Sequence, residues 1–141
     1  EDMADWTRSY AETVWRTNMS TAYSAGRFRQ MADPAVAYAI GALMFDGPTD
    51  TGPMGDTRPN HAAAVGLVGA ADDPGWQIIA PPLGYNCRHS LSFLSWDECR
   101  RRGKVLPDGS IRRMKIPNDA FPDKGFRSGG RPDQLIYGGQ I

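Results

Sequence analysis

The chain has 141 residues, 40% hydrophobic and 23% charged, with sixteen basic side chains balancing sixteen acidic ones. This length fits one ordinary domain, and the sequence has neither a long apolar run nor a signal-peptide pattern, which predicts a protein without a membrane partner. Because the chain begins at Glu1 rather than Met, we expect it to be a piece of a longer protein. Two cysteines are too few for a disulfide framework and predict a reducing compartment.

The charges are unevenly distributed along the chain. Residues 1–99 hold six basic and twelve acidic side chains, whereas residues 100–141 hold ten and four. A basic tail on an acidic body is typical of proteins that meet phosphate or an acidic partner, and equally of a tail that folds over its own body. The sequence leaves these alternatives open.

The N-terminal segment is predicted to be a long helix over residues 8–31. Ser9 and Glu12 have the spacing of a capping box. An apolar stripe follows at helical spacing, formed by Ala11, Trp15, Met19 and either Ala22 or Tyr23. Asp33-Pro34 ends the helix, because proline disfavours a helical conformation in the residue before it.

Residues 35–45 alternate between large and small side chains, which predicts a strand with one closely packed face, although a buried helix is the alternative. Residues 46–60 are rich in glycine, proline and aspartate. Such a long connection is typical of a functional or flexible loop.

Two further strands and a short helix are predicted in the next part of the chain. After the Asp73-Pro74-Gly75 turn, the apolar run 76–80 and the alternating residues 87–94 are predicted to join the sheet. Ser95 and Glu98 form a second capping box, which predicts a short helix that Gly103 closes. Residues 104–141, rich in proline and glycine, are predicted to be extended. Together these elements predict an α+β fold with a small mixed or antiparallel sheet.

A metal site is one hypothesis for the polar residues of the two loops. His61, Cys87 and His89 offer the nitrogen and sulfur ligands that zinc prefers, with Cys99 or Asp56 as a further ligand. No CxxC pair is present, however, and the ligands come from separate elements. The alternative is a protein without a cofactor, in which Cys87 is a small buried side chain and both histidines make hydrogen bonds between loops.

Catalysis and nucleotide binding have weaker support. A Cys–His or Asp–His pair could act as nucleophile and base, but nothing resembles a nucleophile turn. The phosphate-binding glycine motifs are absent. The basic side chains that could bind DNA phosphates or a partner are Arg100, Arg101, Arg102, Arg112, Arg113 and Lys115. Arginine is also a common structural clamp, which is the alternative for Arg58 and Arg88.

Four segments in order resemble the Mu F-protein-like family of phage head morphogenesis, or minor capsid, proteins. They are WRTNMSTAYSAGR (15–27), DTRPNH (56–61), DDPGW (72–76) and PPLGYNCRHSLSFLSWDECRRRG (81–103), and FPDKGFRSGG (121–130) resembles a segment near the end of many members. By position, the family's Asp-x-Arg-x-x-His falls on Asp56, Arg58 and His61. Its Asn-Cys-Arg-Cys falls on Asn86, Cys87, Arg88 and His89. Histidine thus replaces the last cysteine, which retains a zinc ligand and removes any disulfide.

The resemblance implies a minor head protein domain over residues 1–103, with residues 104–141 packed on it or on a partner. It implies a virion protein made in the host cytoplasm, which contacts portal or capsid proteins and, through its basic segment, DNA. Residues 56, 58, 61 and 86–89 are then interpreted as a structural clasp between two loops. The alternative is an effector enzyme, a metal-assisted hydrolase, nuclease or ADP-ribosyltransferase, that uses Asp56, Arg58 and His61. The sequence favours the assembly protein, since none of its motifs indicates a substrate pocket.

Overall fold

The computed structural model describes residues 2–126. Five helices and three strands alternate along this part of the chain, and a long N-terminal helix precedes all the others. In chain order they are α1 (Met3–Met31), α2 (Pro34–Ala39), β1 (Ile40–Asp46), α3 (Pro59–Ala62), β2 (Val68–Gly69), α4 (Trp76–Ile79), β3 (Ser90–Ser95) and α5 (Trp96–Arg101). The α+β class predicted from the sequence is confirmed.

Helix α1 starts earlier than the sequence predicted. The carboxylate of Asp2 accepts the amide of Ala4, so Asp2 is the N-cap and the predicted capping box at Ser9 lies inside the helix. A regular helix of this length is about 43 Å long. Residues 2–12 are all exposed, so the first turns project beyond the packed part of the molecule.

The predicted apolar stripe of α1 faces away from the core. Phe28 and Met31 are buried, as are the small side chains of Thr17 and Ser24. On another side of the helix, three residues spaced four apart remain exposed. We call them the outer stripe: Trp15 (64% exposed), Met19 (45%) and Tyr23 (61%). The helix therefore packs through Phe28, Met31 and two small residues, and it leaves the outer stripe uncovered.

The predicted strand 35–45 is wrong in its first half. Asp33 accepts the amide of Ala35 at 2.9 Å and Pro34 occupies the first helical turn, two features that start a helix. Helix α2 results, and Tyr38 is 88% exposed on it. The strand begins only at Ile40.

The sheet has the order β2-β1-β3 with both pairs antiparallel. Leu43 at its centre pairs with Gly69 on one side and Phe93 on the other. The apolar run 76–80, predicted as a strand, is instead the single-turn helix α4. Just before this helix, the side chain of Asp73 accepts a hydrogen bond from the backbone amide of Gly75 at 2.8 Å. The third strand is the two-residue β2, in a stretch that the sequence left unassigned.

Side chains of β1 point alternately to the two faces of the sheet, so this strand contributes to two separate cores. Leu43 and Phe45 face the larger core, which includes Trp76 of α4 and Phe28 of α1. Ala42 faces a smaller core on the opposite side, with Val68, Leu94 and the free thiol of Cys99. The sheet is thus covered on both faces, and the larger core fixes the side on which the two polar loops meet.

Residues 104–126 follow the surface of this body as an irregular segment. Val105 and Ile111 form an isolated antiparallel bridge. Asp73 accepts the amide of Met114 at 2.8 Å, and Ala120 is buried in the larger core. The rest of the predicted arm, residues 127–141, lies outside the described residues. Among the described helices, none combines the length and the apolar character that a bilayer span requires.

Candidate functional site: a histidine–cysteine cluster between two loops

His61 is placed by the short helix α3. Pro59 supplies the first turn of that helix, and the side chain of His61 is 2% exposed. Its Nε2 atom lies 2.8 Å from Oδ1 of Asp123. Since a carboxylate only accepts hydrogen bonds at neutral pH, His61 Nε2–H donates to it. The imidazole therefore carries its lone pair on Nδ1.

Asp123 joins three residues of the α3 region. Arg58 Nη1 donates to its Oδ2 at 2.8 Å, and Asn60 Nδ2 donates to its Oδ1 at 3.0 Å. Asp123 was not among the residues predicted from the sequence. Its one distinguishing feature in the sequence is that it is an acidic residue in a basic segment. Asp123 lies 62 residues from His61, so no local sequence pattern links these two residues.

His89 and Cys87 lie just before β3 rather than within it. His89 is 3% exposed and packs against Phe45, with ring centroids 5.2 Å apart. His89 Nε2–H donates to the carbonyl of Pro48 at 2.8 Å, because a carbonyl oxygen only accepts. The remaining nitrogen, Nδ1, lies 3.4 Å from Cys87 Sγ. The thiol is the donor in this contact.

The three predicted ligands come together. One ring nitrogen of His61, one of His89 and the sulfur of Cys87 all lie within 4.8 Å of one another. The two imidazoles meet edge to face, with centroids 5.8 Å apart. Within the described part of the chain, neither Cys99 nor Asp56, the other predicted ligands, belongs to this group. We call His61, Cys87 and His89 the His–Cys cluster.

Burial controls the protonation of the cluster. It lowers the pKa of His61, and the nearby carboxylate of Asp123 opposes the change without reversing it. It also lowers the pKa of His89, and it raises the pKa of the Cys87 thiol. Burial alone would raise the pKa of Asp123, but hydrogen bonds from Asn60 and His61 lower it overall. At neutral pH both imidazoles are therefore neutral beside a charged carboxylate.

Arg88, another predicted clasp residue, holds the long loop. Its guanidinium donates to Asp50 at 2.9 Å and to the hydroxyl of Thr57 at 2.7 Å. Hydrogen bonds from the Thr57 hydroxyl and the Asp56 amide lower the pKa of Asp50 to about 2. Asp56 itself is exposed. Among the described residues, no hydrogen bond or ion pair joins its carboxylate to Arg58 or His61.

Asn86 connects the second loop to α1. Its backbone has φ of 57°, a left-handed conformation that asparagine tolerates better than most residues. Its side-chain amide donates to the hydroxyl of Thr13 at 3.2 Å, and its backbone amide donates to Thr17 at 3.4 Å. The seven predicted clasp residues therefore belong to several neighbouring contacts rather than to one site.

A glycine makes room for the Arg58–Asp123 pair. A Cβ atom at Gly84 would lie 2.0 Å from Oδ2 of Asp123 and 2.6 Å from Nη1 of Arg58. The same guanidinium donates to the carbonyl of Tyr85 at 2.6 Å. Arg58 thus fastens the second loop to the C-terminal segment directly beside the His–Cys cluster.

The predicted basic residues divide into two groups. The arginines of α5 are paired within their own helix: Arg100 with Asp97 at 2.9 Å, and Arg101 with Glu98 at 2.7 Å. Arg102 lies 3.5 Å from Glu98 as well. The others, Arg112, Arg113 and Lys115, flank a cleft of about 130 Å³ beside β2, together with Lys104, which was not among the predicted residues. We call these four residues the basic cleft. Between residues 2 and 126, these four side chains have no carboxylate partner.

Comparisons with known proteins agree with the resemblance in the sequence. A family model described as "Phage Mu protein F like protein" matches residues 1–92. The putative capsid assembly protein F of Escherichia phage Mu is 39% identical over 112 residues, which are 79% of this chain and 24% of that protein. The Mu-like prophage FluMu F protein of Haemophilus influenzae is 32% identical over 91 residues, 64% of this chain and 20% of that protein.

The chain spans about a quarter or less of the length of these relatives. No solved structure matches it significantly. The family match runs from α1 into β3 and contains the whole His–Cys cluster, whereas Asp123 lies beyond it. Because the family model matches well over half of its residues, the chain belongs to the phage Mu protein F like family.

Proposed function

We propose that this chain is a phage head-assembly module that acts through contacts with portal or inner capsid proteins. The relative from Escherichia phage Mu is named a putative capsid assembly protein, and the similarity covers most of this chain. The module would act in the host cytoplasm during assembly and remain in the virion. The activity of the longer relatives as a whole is not assigned to this domain.

The observation that carries the proposal is the outer stripe of α1. Trp15, Met19 and Tyr23 are all at least 45% exposed, although each has a large apolar side chain. Residues four apart lie on one face of a helix, so the three side chains form a continuous surface. The stripe ends at a groove of about 620 Å³ between α1 and α2.

Such a surface suits the binding of another protein. Tryptophan and tyrosine are enriched among the residues that dominate binding energy at protein interfaces, and a helix that presents them at this spacing fits a groove of a partner. The projecting first turns of α1 extend the same helix away from the body, with Trp6 and Tyr10 stacked 5.6 Å apart. We therefore assign α1 as the docking element.

The test is a triple variant, Trp15→Ala, Met19→Ala and Tyr23→Ala, measured for binding to the portal and capsid proteins encoded with this chain. Loss of one good anchor costs about 2 kcal/mol, which is about 30-fold in affinity, so we expect at least this loss. Folding should change little because the side chains are exposed. A control variant removes two large exposed side chains elsewhere, Tyr38→Ala and Met54→Ala. Equal binding by both variants and the unmodified chain would contradict the proposal.

DNA contact is a second candidate function, and the basic cleft favours it. Arg100, Arg101 and Arg102 each pair with Asp97 or Glu98, so two carboxylates offset most of the charge of these three arginines. By contrast, the turn closed by Val105 and Ile111 brings Lys104 beside Arg112, whose amide donates to the Lys104 carbonyl at 2.6 Å. Unpaired cations on one surface attract phosphate without sequence preference.

This candidate makes a different prediction. Binding to duplex DNA should weaken steeply with salt, and each phosphate contact adds about 0.9 to the slope of the double-logarithmic plot. Changing Arg112, Arg113 and Lys115 to glutamine should therefore reduce the slope by about 2–3. The same change at residues 100–102 should reduce it less. A slope that neither variant alters would rule out DNA contact by these residues.

A further inference from the structure

The His–Cys cluster has the composition and spacing of a metal site. Two histidine nitrogens and one cysteine sulfur lie within 4.8 Å of one another. In a tetrahedral zinc site, Zn–S bonds of about 2.3 Å and Zn–N bonds of about 2.0 Å place sulfur and nitrogen about 3.5 Å apart. The distance between Cys87 Sγ and His89 Nδ1 is 3.4 Å. One pair of ligands already has this separation, and the other two pairs are at most 4.8 Å apart.

The outer hydrogen bonds of the two histidines point to the same conclusion. A histidine that binds a metal through one nitrogen usually donates its other N–H to a carboxylate or a backbone carbonyl. His61 donates Nε2–H to Asp123, and His89 donates Nε2–H to Pro48. Both rings therefore keep the lone pair on Nδ1, which is the form that a metal ion requires.

We propose that His61, Cys87 and His89 bind one zinc ion. Imidazole nitrogen together with thiolate sulfur favours zinc over magnesium or calcium, which prefer oxygen ligands. On binding, the Cys87 S–H bond breaks, the thiolate binds the ion, and the proton passes to the solvent. A water molecule or another donor completes the fourth position. Asp123 acts as a positioning residue, since it orients His61 without binding the ion.

The ion would connect separate parts of the chain. His61 belongs to α3, Cys87 and His89 precede β3, and their outer partners Pro48 and Asp123 belong to the long loop and the C-terminal segment. The site is nearly closed to solvent, with both histidines at most 3% exposed. We infer a structural role for the zinc, which would fix the two polar loops against each other.

The same cluster could instead be held by hydrogen bonds alone, with the Cys87 thiol donating to His89. A cobalt titration distinguishes a metal site from a cluster held by hydrogen bonds alone. It uses the full 141-residue chain, stripped of metal with a chelator under reducing conditions. Cobalt(II) binds at zinc sites in place of zinc, and a thiolate that coordinates cobalt(II) gives a charge-transfer band in the near ultraviolet. We expect one equivalent of cobalt to produce this band and one equivalent of zinc to abolish it.

Variants of the two cysteines provide the matched comparison. Cys87→Ala should abolish the band, whereas Cys99→Ala should retain it, because Cys99 is buried in the smaller core, with its thiol 4.0 Å from the Leu94 carbonyl oxygen. Asp123→Asn should retain stoichiometric binding with an affinity about 10- to 100-fold weaker. Far-ultraviolet circular dichroism of each variant checks that it folds. Absence of the band in a folded chain, or its survival in Cys87→Ala, would overturn the proposal.

Discussion

Replacing Trp76 with alanine is expected to lower the free energy of unfolding by about 3–5 kcal/mol, the usual cost of deleting a buried tryptophan side chain. Trp76 is fully buried in the larger core and meets Phe28 edge to face, with ring centroids 6.2 Å apart. Its indole N–H donates to the carbonyl of Ala70 at 3.0 Å. Since a domain of this size is stable by about 5–15 kcal/mol, the variant should be close to unfolding. Urea denaturation followed by circular dichroism measures the change.

Trp76→Phe is the control for this prediction. It keeps an aromatic ring against Phe28 and removes the indole hydrogen bond to the Ala70 carbonyl. That carbonyl still accepts the amide of Asp73 at 3.0 Å, so losing the indole bond costs about 0.5–1.5 kcal/mol. The alanine variant should therefore be clearly less stable than the phenylalanine variant. If Trp76→Ala cost less than about 1 kcal/mol, the value typical of an average substitution, Trp76 would not be central to the core.

Gly47→Ala is expected to lower the free energy of unfolding by about 2–4 kcal/mol, for two reasons that add. The residue has φ of 142°, a conformation that side chains with a Cβ rarely adopt. The new methyl group would also lie 2.6 Å from His89 Cδ2 and 3.1 Å from its Cα. Because the second contact is with backbone, it cannot be relieved by turning a side chain. Thermal and urea unfolding of the purified chain measure the effect.

Gly52→Ala supplies the comparison in the same loop. A Cβ at that position has nothing within 4 Å, and its φ lies outside the left-handed region. We expect a change in unfolding free energy within about 0.5 kcal/mol. If the change at Gly47 were as small as the change at Gly52, the loop would tolerate a side chain at position 47. The structure would then give no reason for a glycine beside His89.

Local chemistry made part of the fold predictable. Asp33-Pro34 ends α1 as expected, because the constraint that proline imposes acts on adjacent residues only. Ser95 accepts the amide of Glu98 at 3.2 Å, so the helix start predicted at Ser95 is correct, although the Glu98 carboxylate pairs with Arg101 and Arg102 instead of completing the capping box. Both features depend on contacts within four residues, which a sequence displays directly.

Other predictions failed where local patterns were ambiguous. Alternation in residues 35–45 fitted a strand, yet the caps supplied by Asp33 and Pro34 make its first part helical. The apolar stripe of α1 correctly indicated a helix but did not show which face packs: Trp15 and Tyr23 remain exposed while Thr17 and Ser24 are buried. A helix can present several faces, and only the position of the remaining elements determines which face is covered.

Residue type and order were enough to predict the family, the α+β class and the three residues of the His–Cys cluster. The packing of the chain brings those three together, places Asp123 beside His61, and leaves Asp56 outside the cluster. It also shows that Lys104, Arg112, Arg113 and Lys115 have no carboxylate partner within residues 2–126. Hydrogen bonds and ion pairs act over about 3 Å in space, and in this protein they connect residues up to 73 positions apart along the chain, which no local pattern displays.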